Sequence, residues 1–139
     1  MRDDLERRGC RIPQTPGDGR WQNIVSGRFT APRALDWAAL CSRTGASSIL
    51  LYPNGMGRGV LEVHRAQDRG YLQQGVDGIV FSRQISAASP AYIRVKNHPT
   101  LVPGLPRFDH DGINDAFVGK ASTVWFRSAG RWLKLLGAD

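Results

Sequence analysis

The residues best suited to chemistry lie in one short segment, positions 108–117, which reads FDHDGINDAF. Asp109, Asp111 and Asp115 stand at near-alternate positions around Gly112. Carboxylate oxygens are preferred ligands of Ca²⁺, and a glycine lets the backbone turn sharply around an ion. We therefore consider the three aspartates as a calcium site, with an acidic turn satisfied by the protein itself as the alternative.

Arg107 bears directly on the choice between these two alternatives. It occupies the position where a calcium loop would begin with an acid. Its guanidinium would bridge Asp109 and Asp115 as an internal ion pair and leave no need for a metal. An EF-hand is rejected because its loop also requires a glutamate at the twelfth position, where this chain has Val118.

Other residue types give weaker indications of chemistry. His110 stands between two aspartates and would add a nitrogen ligand for a transition metal, but we read it, like His64 and His98, as a surface or loop histidine. The chain has no Gly-x-Ser-x-Gly motif, and Cys41 lies in an apolar stretch that disfavours a thiolate. An enzyme is therefore not our first interpretation, although a deep pocket that joins a histidine to an aspartate would favour a hydrolase.

The elements that must position these residues are predominantly strands. Short alternating or continuous apolar runs, separated by glycine and proline, predict a mainly β fold of about eight antiparallel strands, with α+β as the alternative. The sheet would be blade-like or a sandwich, preceded by a short helix at residues 2–8. The predicted strands cover 23–29, 37–41, 47–52, 60–63, 71–76, 79–85, 91–95, 122–126 and 132–136.

Turns and loops separate these strands. Asp77-Gly78 and the tripeptide at 128–130 predict two hairpins. Prolines and glycines make 10–22 an irregular connection and 97–107 a surface loop. The glycine-rich stretch 55–59 lacks the Lys-Ser/Thr pair of a nucleotide-binding loop and is interpreted as a flexible hairpin loop.

Two parts of the chain resemble each other. Phe29 precedes Asp36, and Phe108 precedes Asp115, by the same spacing, and similar strand patterns follow both aspartates. Residues 1–139 are therefore predicted to be one domain with a candidate internal repeat at 27–55 and 106–131. In this reading Asp36 and Asp115 close equivalent turns between strands.

These two segments resemble FG-GAP repeats, the calcium-binding blade repeats of integrin-type β-propellers. The second copy matches the acidic loop of that family at Asp109, Asp111, Gly112 and Asp115, and the first copy keeps only Asp36. The resemblance covers about a fifth of the chain. It implies a blade-like β domain with Ca²⁺ as its cofactor, but two units are too few to close a propeller.

Composition limits the class of partner. The net charge is +7, and arginines scattered along the chain provide most of the positive charge. Nucleic-acid binders usually concentrate basic residues on one face, so a nucleic-acid partner ranks below a protein or other anionic partner. Trp37 and Trp125 are predicted to be core residues, and Trp132 is the better contact residue. No apolar run approaches the roughly 20 residues of a membrane helix.

The two cysteines do not decide the cellular compartment of the protein. Cys10 and Cys41 would form one disulfide in an oxidising compartment, or remain two separate thiols with Cys41 buried. If the chain is complete, we expect a cytoplasmic protein. If a signal peptide was removed and Cys10 is bonded to Cys41, we expect an exported one. The sequence thus favours a small bacterial-type β-rich binding or structural module, ahead of a basic nucleic-acid-binding domain and a hydrolase.

Overall fold

The computed structural model describes residues 1–15, 19–100 and 102–138. Positions 16–18, in the predicted connection 10–22, and position 101, in the predicted loop 97–107, lie outside the described residues. Among the helices in the described ranges, none has the length and apolar character needed to cross a membrane.

Two four-stranded antiparallel sheets form the body of the protein. The first sheet contains β1 (Ile24–Gly27), β2 (Asp36–Arg43), β3 (Ala46–Tyr52) and β4 (Leu61–Gln67), hydrogen-bonded in chain order. A separate two-stranded hairpin follows, formed by β5 (Leu72–Gly75) and β6 (Gly78–Phe81). The second sheet contains β7 (Arg83–Ala88), β8 (Gly112–Phe117), β9 (Ala121–Ser128) and β10 (Arg131–Leu136), again in chain order.

This architecture confirms the mainly β prediction. The described residues hold ten strands, where about eight were expected, in part because the predicted strand 79–85 is interrupted at Ser82. The two predicted hairpins are present. In the second hairpin, Ala129 and Gly130 both adopt positive φ, at 49° and 74°, which suits a two-residue turn between twisted strands.

The main core lies between the two sheets. Alternation along β2 places Ala38 and Leu40 on the inner face and Ala39 and Cys41 on the outer face. The inner faces of both sheets contribute to one apolar cluster. Its buried members are Phe29, Ala38, Leu40, Ile49, Leu51, Val63, Ile85 and Ile113.

A short helix, α1 (Arg2–Arg7), covers the outer face of the first sheet. Leu5 packs there against Leu50 and Tyr52. A disulfide between Cys10 and Cys41, with Cα atoms 4.9 Å apart, fastens the segment after the helix to β2. Of the two alternatives for the cysteines, the structure therefore contains the bonded pair.

A second helix, α2 (Pro90–Lys96), covers the outer face of the second sheet and corrects the predicted strand at 91–95. The hydroxyl of Ser89 accepts a hydrogen bond from the Tyr92 amide at 3.2 Å, and Pro90 occupies the first turn. Both features start helices. The helix buries Ile93 against Val124 and Phe126 of β9.

The acidic segment is also different from the prediction. Residues 112–117 form β8, so Asp115 lies in a central strand and not in a turn. Gly112 begins the strand without a positive φ. A Cβ atom at this position would lie 2.6 Å from Val124 Cγ1, so glycine is required by close packing.

Candidate functional site

The two segments that resemble each other meet at one end of the sandwich. The Arg28 amide donates to Asp111 Oδ2 at 2.9 Å, and the Asp111 amide donates to the Arg28 carbonyl at the same distance. The Arg28 guanidinium adds an ion pair to Asp111 Oδ1 at 3.3 Å. Asp111 therefore fastens the connection before β8 to the connection after β1.

Asp115 has a different partner in the core. Its two oxygens accept hydrogen bonds from the Arg83 guanidinium, each at 2.8 Å, and the Arg83 side chain is fully buried. The remaining Arg83 nitrogen donates to the carbonyl and hydroxyl of Ser47 in the opposite sheet. The Tyr71 ring lies 4.9 Å from the guanidinium carbon, and Trp125 Nε1 donates to Asp115 Oδ2 at 3.3 Å. This network joins the sheets and satisfies a buried charge.

Asp109 pairs with its neighbour, His110. Oδ1 of the carboxylate lies 2.7 Å from Nδ1 of the imidazole, so Nδ1 carries the proton and donates it. This hydrogen bond holds the pKa of Asp109 below its usual range. The ring of His110 stacks on Phe126 with centroids 4.3 Å apart. It lies in the irregular segment before β8, as expected of a loop histidine, but its side chain is only 8% exposed and is not a surface group.

The three aspartates proposed as calcium ligands therefore have three separate partners. Asp109 pairs with His110, Asp111 with Arg28, and Asp115 with Arg83. The bridge predicted from Arg107 to Asp109 and Asp115 is absent from the ion pairs of the described residues, because Arg83 already occupies Asp115. In the same ranges, His, Cys, Asp and Glu side chains form no group of three suited to a metal ion. The calcium site stays a prediction.

An open groove of about 470 Å³ lies beside the Asp109–His110 pair. It is bordered by the connection after β1, by the segment before β8 and by the turn between β9 and β10. The groove residues with polar side chains include Thr30, Arg107, Asp109, His110, Arg127 and Ser128. Nε2 of His110 is buried and has no hydrogen-bond partner among the described residues.

Comparison with known proteins gives no assignment. No family model, curated protein or solved structure matches this chain. The function must therefore be inferred from the geometry of the groove and from the chemistry of its side chains.

The tryptophans are distributed differently from the prediction. Trp37 is 36% exposed on the outer face of β2, so its assignment to the core was wrong. Trp125 and Trp132 are partly buried and pack against the inter-sheet cluster. The most exposed tryptophan is Trp21, at 92%. It borders a second groove, of about 530 Å³, together with Ile24.

The other two histidines do not join the Asp109–His110 pair. His64 lies in β4 and stacks on Trp125 with ring centroids 4.6 Å apart. Burial, aided by the positive charge of Arg83, lowers the pKa of His64. His98 is exposed in the loop after α2, and its Nδ1 lies 2.7 Å from the Thr100 hydroxyl.

Sequence reasoning did not find the two side chains that matter most. His110 was considered as a metal ligand or as a surface or loop histidine, although the adjacent Asp109 and the nearby Phe108 indicate that its ring is held in a partly apolar environment. Arg83 was passed over, although it lies alone between the apolar residues Phe81 and Ile85. A single arginine in an apolar strand indicates a buried ion pair, because an unpaired buried charge is too costly.

Proposed function

We propose that this protein is a small β-sandwich binding module whose ligand site is the groove beside His110. The observation that carries the proposal is the buried Nε2 atom of His110, which has no partner among the described residues. Leaving a buried polar atom unpaired costs about 1–3 kcal/mol. A ligand in the groove would recover that cost by bonding to this nitrogen, once the side chains that cover Nε2 move aside.

The surroundings of His110 support this role. Asp109 fixes which ring nitrogen carries the proton, and stacking on Phe126 fixes the plane of the ring. The imidazole is therefore held in one orientation before any ligand arrives. Such preorganisation reduces the ordering cost of binding.

A calcium-type turn is retained as a separate proposal for the same segment. It would require Asp109, Asp111 and Asp115 to release their partners His110, Arg28 and Arg83 and to converge on one ion. If Asp115 left Arg83 to bind a metal ion, the fully buried guanidinium of Arg83 would lose its counter-charge. For this reason we rank the self-satisfied segment ahead of the metal.

A hydrolase is the second candidate because the groove does join a histidine to an aspartate. A carboxylate bonded to Nδ1 and an unpaired Nε2 are features of a general base. We rank it below a binding module because, among the described residues, no serine, threonine or cysteine side chain bonds to the His110 ring. The Thr30 hydroxyl, in the same groove, is bonded to Asp36.

The test is a ligand screen read at the His110 ring by ¹⁵N nuclear magnetic resonance, with a mixture of small metabolites and ester substrates. We expect a ligand that shifts the His110 Nε2 signal and is not consumed. His110→Phe should abolish binding while keeping the stack on Phe126, and His98→Phe serves as the control. Absence of any His110-dependent ligand would refute the module, and turnover of an ester would favour the hydrolase.

A further inference from the structure

The second groove, beside Trp21, lies apart from the groove beside His110. Among the described residues, none lines both grooves. We propose that the second groove binds a neutral oligosaccharide, with one sugar ring stacked on the Trp21 indole and its hydroxyls bonded to Gln84 and Ser86. This site is independent of the proposed function, so either can hold without the other.

The indole of Trp21 is held out in water by an ordered piece of backbone. Trp21 is 92% exposed and belongs to none of the apolar clusters of the described residues. The next residue, Gln22, exchanges two hydrogen bonds with Gln14, at 2.9 and 3.1 Å, and its Oε1 accepts from the Thr15 amide at 2.9 Å. An exposed aromatic ring on a fixed backbone binds a ligand with little loss of conformational freedom.

The side chain of Asn23 fastens this segment to β7. Nδ2 donates to the Arg83 carbonyl at 3.2 Å, and Oδ1 accepts from the Ile85 amide at 2.8 Å. Trp21 is therefore fixed beside Gln84, which lies between the two bonded residues of β7. The same two bonds occupy this stretch of the edge of β7, so a peptide cannot add there as a further strand.

Gln84 and Ser86 supply the hydrogen-bonding groups of the groove. They alternate with the core residue Ile85, so both lie on the outer face of the second sheet, where Gln84 is partly exposed and Ser86 is exposed. The Gln84 amide has no hydrogen-bond partner in the described part of the chain. The Ser86 hydroxyl accepts from Asn114 Nδ2 at 3.4 Å and keeps its own proton to donate. Amides and hydroxyls both donate and accept, as a sugar hydroxyl does.

The lining of the groove favours a neutral ligand. Arg20 is the one charged residue among the described lining residues, and it already interacts with another group of the protein. An anion or a cation would therefore find no free counter-charge. A purely apolar ligand would cover Trp21 but displace water from Gln84 without replacing its hydrogen bonds. A sugar ring carries C–H groups on its faces and hydroxyls on its rim, so it satisfies both.

A neighbouring groove extends the site along the same face. It has a volume of about 340 Å³, shares Ser86 with the second groove and is also lined by Asn114 and Tyr92. Asn114 lies opposite Ser86 in β8, and Tyr92 belongs to α2. A chain of sugars would contact both grooves, so we expect an oligosaccharide to bind more tightly than its monosaccharide.

The experiment titrates the full chain with cellohexaose, maltohexaose, xylohexaose, mannohexaose and chitohexaose in separate samples, each to millimolar concentration. Hexagalacturonate serves as the anionic probe. The readouts are the indole N–H signal of Trp21 and the side-chain amide signal of Gln84 in nuclear magnetic resonance spectra. We expect saturable shifts at both residues with at least one of the neutral sugars. Absence of such shifts with all of them, or binding of hexagalacturonate alone, overturns the inference.

Two variants assign the shifts to the proposed side chains. Trp21→Ala should weaken binding about tenfold and Gln84→Ala about threefold, from the loss of stacking and of a hydrogen bond respectively. Because Trp21 is almost fully exposed, Trp21→Ala should leave the Tm unchanged. Val76→Ala removes an equally exposed apolar side chain outside the groove and should leave the dissociation constant unchanged.

The outcomes separate this inference from the proposed function. His110→Phe should leave sugar binding unchanged, because His110 does not line this groove. Loss of sugar binding in that variant would overturn the inference, and so would equal weakening by Trp21→Ala and Val76→Ala. A ligand that depends on His110, with no sugar bound at Trp21, supports the proposed function alone. Sugar binding that depends on Trp21 and Gln84 supports this inference whatever the result at His110.

Discussion

The two halves of this protein share a plan but are fastened differently. Each half is a four-stranded meander with one short helix on its outer face. The first helix is held by the Cys10–Cys41 disulfide and by a hydrogen bond from the Tyr52 hydroxyl to Asp4. The second is followed by Asn97, which exchanges two hydrogen bonds with the backbone of Leu136 at the end of β10. The two halves therefore share a topology but use different interactions to hold their helices.

The same contrast holds for Asp36 and Asp115, which occupy matching places in the sequence. Asp36 accepts hydrogen bonds from neutral donors, namely the amides of Phe29, Thr30 and Asn54 and the hydroxyl of Thr30. Asp115 neutralises a buried arginine. Asp36 closes the connection before β2 as predicted, whereas Asp115 lies within β8 and closes no turn. Equal spacing after a phenylalanine therefore does not imply an equal role.

The largest effect is expected from Asp115→Asn. The amide keeps the shape of the side chain but leaves the fully buried Arg83 without a counter-charge. We expect a loss of about 3–5 kcal/mol in the free energy of unfolding, measured with urea. The double variant Arg83→Met/Asp115→Leu should lose less than Asp115→Asn, because it removes both charges. A loss below that of an Asp3→Asn control, at an exposed position, would contradict the buried-pair account.

A smaller loss in the free energy of unfolding is expected when the disulfide on the outer face of the first sheet is removed. Replacing Cys10 and Cys41 by alanine removes a link between positions separated by 31 residues. We expect a loss of about 2–4 kcal/mol, from the greater freedom of the unfolded chain. Unfolding of the unmodified chain in reducing and non-reducing urea checks the same quantity. Identical midpoints in the two conditions would show that the link contributes nothing.

Asp36→Asn should cost less than the same change at Asp115. An asparagine oxygen still accepts hydrogen bonds from the Phe29 and Thr30 amides, but its NH₂ group cannot accept from the Asn54 amide. No buried cation loses its partner. We expect a loss of about 1–2 kcal/mol in urea unfolding. Equal losses for the two variants would mean that the two aspartates have equivalent roles, as the sequence alone suggested.

The smallest effect on stability is expected at His64, whose ring contacts Trp125 of the opposite sheet. Its lowered pKa means that the folded state disfavours the protonated ring, because the ring is partly buried and lies near the positive charge of Arg83. The unfolded chain therefore binds the extra proton first as the pH falls below about 6.5. Stability should decline from there toward the lowered pKa and be constant above. His64→Phe keeps a ring against Trp125 and should reduce the difference between urea midpoints at pH 7.5 and 5.5. An unchanged difference would contradict this assignment.

Much of the fold was predictable because it depends on local patterns. Apolar alternation and turn residues predicted the antiparallel strands and both hairpins. The helix at Pro90–Lys96 was missed because its apolar residues also fit a short strand, and only the Ser89 cap decides between them. The partner of Asp115 was missed because Arg83 lies 32 positions away in sequence, and register between strands brings the two together.

The groove was less predictable because its members come from separate connections. Asp109 was predicted as a site residue, but for a metal, and its bond to His110 depends on the stacking surface supplied by Phe126 in β9. The arginines were seen as scattered, since nothing local shows that Arg107 and Arg127 border the same space. The FG-GAP resemblance of segments 27–55 and 106–131 stays a prediction.

The most direct test of the whole account is a melting experiment with and without calcium, at constant ionic strength. If each aspartate is held by its own protein partner, millimolar calcium should leave the Tm unchanged. A rise in Tm with calcium would contradict the account and restore Asp109, Asp111 and Asp115 as a metal site.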